Sequence, residues 1–274
     1  YIKAVEEKNG SENLSKVLYP DDTTQMGREL RLKQQYFFVC ASLQDILRRF
    51  TKYHPNLNEL PDKVAIQLND THPAIAIPEL MRILVDVHGL EWERAWEITV
   101  GVFGYTNHTL LPEALEPWHV HFFATVLPRH LQIVEEIDRR FRQQVRRVFP
   151  GDEAKANRTA ILTDDGGGLV RMSHLAIVGS HVVNGVAKLH SEIPKRETFR
   201  DFHELFPGRF QNKTNGITPR RWLLKCNPGL SALVTDAIGD RWVTDLDQLG
   251  RLRPFADDAA FRETWAAVKR ENKV

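Results

Sequence analysis

The feature that most constrains the fold is a short apolar run that ends in a polar tetrad. Residues 64–68 (VAIQL) are nearly all apolar, and the tetrad NDTH occupies residues 69–72. From residue 77 onward, apolar side chains return at intervals of three and four, which is the spacing of a helix. This order predicts a buried parallel strand, then a helix, with the tetrad at their junction.

Two interpretations of the tetrad are open. In open parallel sheets, strand carboxyl ends and helix amino ends point their free backbone groups into one crevice, where ligands bind. The side chains could therefore hold a polyhydroxylated or anionic ligand. Alternatively, Asp70 or Thr71 caps the following helix and His72 lies in its first turn.

A second copy of the pattern favours the ligand. Residues 102–116 repeat a short apolar run, an Asn/Thr/His cluster that contains His108, and a helix start that contains proline. A helix over residues 92–100 fits between the two copies, which is roughly the span of a βαβ unit. Adjacent parallel strands would place His72 and His108 on the same rim.

Composition limits the class of protein. The 37 Lys and Arg residues balance 36 Asp and Glu residues, so neither nucleic acid nor an acidic membrane surface is implied as a partner. No apolar run approaches the roughly 20 residues that cross a bilayer. Cys40 and Cys226 lack metal-ligand spacing, and we expect reduced core thiols in a cytosolic protein. The chain starts with Tyr1 inside a helical pattern, which is typical of a fragment or processed piece.

Several helices follow from periodicity. Residues 1–18 form a thin helical stripe, interrupted at residues 9–11, which we expect to pack on a second subunit. A long helix is predicted over residues 27–50. Its arginines, Arg31 among them, are most simply a solvated face, although their density could also serve an acidic partner or an anionic effector. Another helix covers residues 129–149, and its arginines are placed outside. The intervening loop, residues 19–24, carries two carboxylates that could face a ligand, although a solvated turn is the default.

The second half is less clearly patterned. Residues 164–168 (DDGGG) predict a tight turn of a hairpin and lack the pattern of a phosphate-binding loop. Residues 173–180 fit a strand or a short helix equally well, residues 181–190 resemble polar entry into a helix, and residues 194–210 predict another helix. The amide-rich stretch 211–222 is a surface loop or the wall of a polar site. Beyond it the pattern is wholly helical, with caps near residues 227, 245 and 258.

Four long motifs, in order, resemble those of the glycogen, starch and maltodextrin phosphorylases. They are RLKQQYF at 31–37, QLNDTHP at 67–73, YTNHT at 105–109 and NKTNGITPRRW at 212–222. The resemblance spans residues 1–274. It implies an α/β fold, part of a GT-B glycosyltransferase, in which parallel strands with βαβ units precede a helical C-terminal stretch.

The resemblance also implies an activity. Members phosphorolyse α-1,4-glucans to glucose 1-phosphate in the cytoplasm, with pyridoxal phosphate as cofactor. In the family, the phosphate of the cofactor takes part in proton transfer while an oxocarbenium-like sugar develops. The substrates are a glucan and phosphate, and the first helix matches the tower helix through which members form homodimers.

The resemblance assigns roles to particular residues. His108 and Asn215 would contact the reacting glucosyl unit, and Trp222 would pack near the cofactor. The remaining assignments concern substrate binding. Asp22 and Thr23 would belong to a gate loop, and some relatives have Asn in place of Thr23. Asp70 and His72 would line a glucan channel, and Glu116 and Val186 would border a sugar pocket.

Two departures qualify the resemblance. Glu135 and Asp138 replace the Tyr and Asn of the glycogen-storage helix in animal enzymes. The chain also stops before the lysine that holds pyridoxal phosphate, so we expect it to be inactive alone. Residues 1–214 would belong to the N-terminal glucan-binding domain, with a tower-like helix at 1–18, and residues 215–274 to the helical crossover and the start of the cofactor domain.

Two other functions remain as alternatives. The chain could be a catalytically inactive carbohydrate-binding or dimerisation fragment. Less favoured is a metal-dependent hydrolase in which His72, His108 and Asp70 at the strand ends bind a metal.

Overall fold

The computed structural model describes residues 2–111, 115–163 and 168–273. The chain divides into two compact units, Tyr1–Thr214 and Asn215–Val274. The first combines a parallel sheet with many helices, and the second is helical. No helix in the described ranges has both the length and the apolar character that crossing a bilayer requires.

The strands of the first unit form two sheets. They are β1 Ile66–Asn69, β2 Phe103–Thr106, β3 Pro117–His119, β4 Leu169–Arg171, β5 Val182–Gly185 and β6 Phe210–Asn212. The main sheet has the order β1-β2-β5-β6, and every pairing in it is parallel. A small antiparallel pair joins β3 to β4. The predicted adjacency of the first two strands is therefore confirmed.

Helices surround the main sheet. Those of the first unit are α1 Ile2–Lys16, α2 Gln25–Thr51, α3 Leu60–Lys63, α4 Ala76–Arg82, α5 Trp92–Val102, α6 Val120–Val126, α7 Pro128–Val148, α8 Glu153–Thr159, α9 Met172–Val178, α10 Lys188–Arg196 and α11 Arg200–Leu205. A π-helical segment, Ile83–Val87, extends α4, and Gly89 at φ +68° follows it, as is common just past a helix end. The helices predicted over 27–50, 92–100 and 129–149 are confirmed as α2, α5 and α7.

Strand β1 is less buried than its apolar sequence predicted. Leu68 is buried and Gln67 is exposed, because successive side chains of a strand point to opposite faces of the sheet. The Gln67 amide donates to Thr106 Oγ1 (2.9 Å), and this hydroxyl donates to Asn184 Oδ1 (2.9 Å). A Cβ at Gly104 would come within 2.6 Å of Gln67 Oε1. Three parallel strands are thus tied by polar side chains on this face.

Several local predictions were wrong. Helix α1 is continuous through residues 9–11, since Gly10 is exposed and meets nothing within 4 Å. For residues 173–180 the short helix, one of the two open alternatives, is the one that forms, as α9 Met172–Val178. Residues 182–185, by contrast, form β5 in place of the predicted helix entry. The helix predicted over 194–210 is replaced by the end of α10, by α11 and by β6.

Two predictions about side-chain exposure also need correction. Arg142 faces inward and bonds Asp138 Oδ2 at 2.7 Å, with 12% of its side chain exposed. Asp138 also accepts from the Ile161 backbone at 2.6 Å, so it joins α7 to the segment before β4. Neither cysteine belongs to the core: Cys40 is half-buried and Cys226 is exposed.

The predicted hairpin is confirmed where the structure describes it. Leu162 pairs with Val170 in an antiparallel bridge, and the Thr163 backbone donates to Leu169 O at 3.0 Å. The turn itself includes residues 164–167, which lie outside the described residues.

The second unit is helical, as predicted. It contains a π-helical segment Arg220–Lys225, α12 Pro228–Ile238, 3-10 segments Asp240–Val243 and Leu246–Asp257, and α13 Ala259–Glu271. Val234, Ile238 and Trp242 form its core. The side chains of Asn227, Asp245 and Asp258 accept hydrogen bonds from the first turns that follow them, so the three predicted caps are confirmed.

Candidate functional site

The carboxyl ends of the parallel strands carry the polar residues that the sequence singled out. Asn69 ends β1, and His108 follows β2 two residues after its end. His108 Nε2 lies 2.5 Å from Asn69 Oδ1, so the loop after β2 reaches the end of β1. Asn107, directly before His108 in the chain, is buried and donates to the Tyr105 hydroxyl at 3.2 Å. The two predicted strand ends therefore meet at one rim.

The tetrad after β1 does not cap a helix. Helix α4 begins at Ala76, and its N-cap position makes no side-chain hydrogen bond. Asp70 has φ 69°, in the left-handed region that Asp tolerates better than most residues, and its Oδ1 accepts from the Thr71 backbone at 2.7 Å. The capping interpretation of Asp70 and Thr71 is wrong.

A buried carboxylate organises the rest of the rim. Glu116 is only 13% exposed and accepts from His72 Nδ1 at 2.9 Å. Thr71 Oγ1 lies 3.2 Å from the same carboxylate oxygen, and Arg31 Nη2 binds the other oxygen. Glu116 has φ 49°, which is an unusual backbone conformation for a residue with a side chain. We call Glu116, His72, Thr71 and Arg31 the Glu116 cluster.

Charge coupling sets the protonation states of this cluster. Burial by itself raises the pKa of Glu116, but the hydrogen bond from His72 and the charges of His72 and Arg31 outweigh it, so this pKa lies below its usual range. The hydrogen bond to Glu116 raises the pKa of His72, against the effect of burial. The pair therefore stabilises the protonated form of His72 and the ionised form of Glu116.

Arg31 connects the cluster to the loop before α2. Its Nη1 lies 3.2 Å from Asp22 Oδ2, and 20% of its side chain is exposed. Thr23 donates through its backbone and its hydroxyl to Asp21 Oδ1, at 3.0 and 2.7 Å, which closes the loop locally. The prediction that Arg31 belongs to a solvated face was wrong. Gln35, one turn later, also approaches the Glu116 carboxylate, at 3.4 Å, so one face of α2 reaches the cluster.

A third histidine, His190 on α10, lies close to the end of β5, and sequence reasoning missed it. The half-buried Val186 donates its backbone N–H to His190 Nδ1 at 3.3 Å. A Cβ at Gly185 would come within 2.7 Å of that nitrogen, so glycine permits the close approach of α10. Burial, with a smaller effect from the charge of His108, lowers the pKa of His190. His108 and His190 therefore share an environment at the strand ends.

The other two predicted site residues belong to the second unit. Asn215 is exposed in an irregular segment, and Trp222, on the π-helical segment, is 65% exposed. Their participation in the site stays a prediction.

The alternative metal site is not formed. His72 is bound to Glu116 and His108 to Asn69, and within the described ranges no group of three or more His, Cys, Asp or Glu side chains could hold a metal ion.

Comparison with known proteins identifies the family of this chain. The family model described as carbohydrate phosphorylase matches residues 1–274. The chain is 56% identical over 282 residues to the muscle form of glycogen phosphorylase from Bos taurus. This match covers all of the present chain and 34% of the bovine protein. It is 54% identical over 273 residues to glycogen phosphorylase from Synechocystis, covering all of this chain and 32% of that protein. The chain thus spans about a third of the length of the curated relatives it matches, and it belongs to the carbohydrate phosphorylase family.

Proposed function

We propose that this chain supplies the glucosyl site and part of the glucan channel of an α-1,4-glucan phosphorylase, which converts a glucan and phosphate to glucose 1-phosphate. The observation that supports this most directly is the meeting of the Glu116 cluster and His108 at one rim of the parallel sheet. Open parallel sheets bind ligands at such rims. The family assignment selects a sugar over other polyhydroxylated ligands.

The rim offers the groups that sugar hydroxyls need. A protonated His72 donates, and Asp70 accepts, so the two would bind hydroxyls along the glucan channel. His108, positioned by Asn69, would contact the reacting glucosyl unit. Glu116 would accept from a hydroxyl beside the pocket, and Val186 would pack against the apolar face of the ring.

The loop around Asp22 and Thr23 would close over this site. Arg31 joins Asp22 to Glu116, so any movement of the loop changes the partners of the buried carboxylate. We therefore assign Arg31 a positioning role between the loop and the sugar pocket.

Pyridoxal phosphate, the cofactor that the family implies, is not accommodated by these residues alone. The indole of Trp222 is 65% exposed, and Lys225 on the same segment is exposed as well, so they provide one aromatic surface without an enclosing cradle. No catalytic step through the cofactor can therefore be assigned to them. We propose that Trp222 contributes a contact to it, and that Asn215 contributes a sugar contact.

The architecture fits a larger assembly. We propose that the first unit is part of the glucan-binding half of a GT-B fold, and that the second unit begins the cofactor-binding half. Most residues of α1 are exposed, and the side-chain amide of Gln34 donates to Val17 O just beyond its end (2.6 Å). This exposed helix is the proposed homodimer contact.

The test is oligosaccharide binding without turnover. The chain is titrated with maltoheptaose by calorimetry, together with His108→Ala, Asp70→Asn and the control Arg158→Met, which breaks an ion pair to Asp201 outside the site. We expect the first two variants to weaken binding about tenfold and the control to bind normally. We also expect no glucose 1-phosphate from the chain alone. Unchanged affinity in both site variants would refute the proposed site.

A further inference from the structure

A second pocket of the first unit lies among α5, α7 and the segment after α11. Its volume is about 540 Å³, within the range of ligand sites. Trp92 and Trp96 stand one turn apart on α5, and both are half-buried. Phe206 and Arg209 contribute another part of the lining. None of these residues belongs to the rim described above. We call this cavity the α5–α7 pocket.

Arg209 brings a largely buried charge to the pocket. Its Nη1 donates to Ile177 O and Val178 O at 3.0 and 3.1 Å, at the end of α9, and its guanidinium stacks on Phe206 at 3.7 Å from the ring centre. No carboxylate within the described ranges pairs with it. Burial lowers the pKa of Arg209 to about 10, so it remains charged at neutral pH.

The remaining donors of Arg209 are accessible to a ligand. Among the described residues, its Nε and Nη2 make no hydrogen bond, yet neither atom is fully buried. The carbonyls of α9 provide only the partial negative charge of a helix end. A guanidinium in this position can still donate two parallel hydrogen bonds to an anion.

The other charges of the pocket leave an excess of positive charge. Glu93 is paired with Arg140 at 2.6 Å, and Glu97 is paired with Arg94 at 2.7 Å. Arg147 is exposed, and no hydrogen bond or ion pair joins it to any described residue. Both acids of the lining are therefore neutralised, whereas Arg147 and Arg209 are not.

A larger cavity in the same unit provides a contrast. It has a volume of about 730 Å³ and is lined by several cations. Lys155 pairs with Glu204 and Arg158 pairs with Asp201, both at 2.7 Å, and Arg200 also pairs with Glu204, at 2.9 Å. These charges are compensated within the protein. The excess in the α5–α7 pocket is thus a local property of that pocket.

We propose that the α5–α7 pocket binds a sugar that carries a phosphate monoester. At neutral pH such a group has a charge of about −1.5 to −2 and three strong acceptor oxygens, which matches two uncompensated guanidinium groups. Arg209 and Arg147 bind the phosphate. The exposed part of the Trp96 indole provides a flat apolar surface against which a sugar ring packs.

The same chemistry has two sources, a free hexose phosphate and a phosphate ester on a glucan chain. Titration with glucose 6-phosphate tests the first. Titration with a phosphorylated maltodextrin, against the same dextrin after phosphatase treatment, tests the second. A preference for the phosphorylated form in either arm supports the proposal and identifies the source.

The experiment is calorimetry on the 274-residue chain. If the ligand is a free hexose phosphate, we expect glucose 6-phosphate to bind more tightly than glucose or inorganic phosphate. If it is an ester on a glucan, we expect the phosphorylated dextrin to bind more tightly than the phosphatase-treated one. Arg147→Met removes an exposed, unpaired side chain and so tests the site without threatening the fold. It should weaken binding of the preferred ligand about tenfold, and Trp96→Ala should weaken it by a similar factor. Arg158→Met, in the compensated cavity, should have no effect.

Three results would overturn the proposal. The first is unchanged affinity in both Arg147→Met and Trp96→Ala, or no binding of either phosphorylated ligand. The second is equal affinity for inorganic phosphate and the sugar phosphate with no effect of Trp96→Ala, which leaves an anion site alone. The third is loss of binding in Asp70→Asn but not in Arg147→Met, which places the ligand at the strand-end rim. Because the rim has its own variants, failure here leaves the proposed phosphorylase function untouched.

Discussion

Two clusters of the first unit use the same three residue types and differ in what covers them. In the first, Glu79 is fully buried and pairs with Arg82 at 2.8 Å and with His130 at 2.7 Å. These residues lie on α4 and α7, and His130 also packs edge-on against Tyr36 of α2. We call this the Glu79 cluster. It joins three helices, and its carboxylate and imidazole are buried, whereas Arg82 reaches solvent with 25% of its side chain exposed.

The Glu116 cluster is open by comparison. His72 has 44% of its side chain exposed and Glu116 has 13%, against 5% for His130 and 0% for Glu79. The two arginines are alike, with 20% exposed for Arg31 and 25% for Arg82. The Glu116 carboxylate lies in a loop with a positive φ, whereas Glu79 lies within a regular helix. The Glu79 carboxylate has no exposed surface left for a ligand. The Glu116 cluster keeps polar atoms available at the strand ends, so similar ion pairs serve structure in one place and recognition in the other.

The largest expected effect is on the Glu79 cluster. Glu79→Gln leaves Arg82 and His130 without their carboxylate in a dry site, so the free energy of unfolding should fall by about 3–5 kcal/mol. Urea denaturation followed by circular dichroism measures this. Maltoheptaose affinity of the folded fraction should not change. A loss below about 1 kcal/mol would show that water enters the cluster and that the two sites are less different than their burial indicates.

How much of the fold and of this contrast could be predicted from the sequence depends on how far apart the contacting residues lie along the chain. Periodicity was sufficient for α2, α5 and α7, because each has a long stripe of buried apolar residues. It failed for β5, where two valines precede Asn184-Gly185 and the strand is defined by its pairing with β2 and β6. Short strands held by distant partners carry little local signal.

The candidate site shows the same limit. The tetrad and His108 could be found because polar residues follow apolar runs at a recognisable spacing. The role of Arg31 could not, since its partner Glu116 is 85 positions away. Glu79 and His130 are likewise 51 positions apart, and nothing local distinguishes that buried pair from an exposed one.

The second expected effect tests the open cluster directly. Glu116→Gln removes the negative charge and replaces one of the two acceptor oxygens with an NH2 donor, but keeps the size of the side chain, so we expect about tenfold weaker maltoheptaose binding. Because both partners reach solvent, the free energy of unfolding should fall by only about 1–2 kcal/mol. Calorimetry and urea denaturation on the same preparation separate the two quantities. A stability loss as large as that of Glu79→Gln would break the comparison.

A smaller effect is expected at the link between the cluster and the loop. Arg31→Met removes both of its ion pairs, to Asp22 and to Glu116, and should weaken maltoheptaose binding several-fold while changing the free energy of unfolding by about 1 kcal/mol or less. Lys33→Met is the matched control, since Lys33 lies on the same helix and its one ion pair in the described part of the chain is with the half-exposed Glu29. If the two variants behave alike, Arg31 has no positioning role.

The smallest effect is a dependence on pH. Since Glu116 raises the pKa of His72 above its ordinary value of 6.5, the stability that this pair contributes is fully present below pH 6.5 and is lost as the pH rises through the higher folded-state pKa. Solvent screening at this half-exposed histidine limits the effect to roughly half a kcal/mol. The difference in unfolding free energy between the wild type and His72→Gln, measured by urea denaturation from pH 6 to about pH 9, should shrink as the pH rises. In the Glu116→Gln background the same difference should be much flatter, because the main cause of the shift is gone and only the smaller effect of the Asp70 charge remains. A slope of undiminished size there would assign the proton to another group and remove the electrostatic part of the contrast between the two clusters.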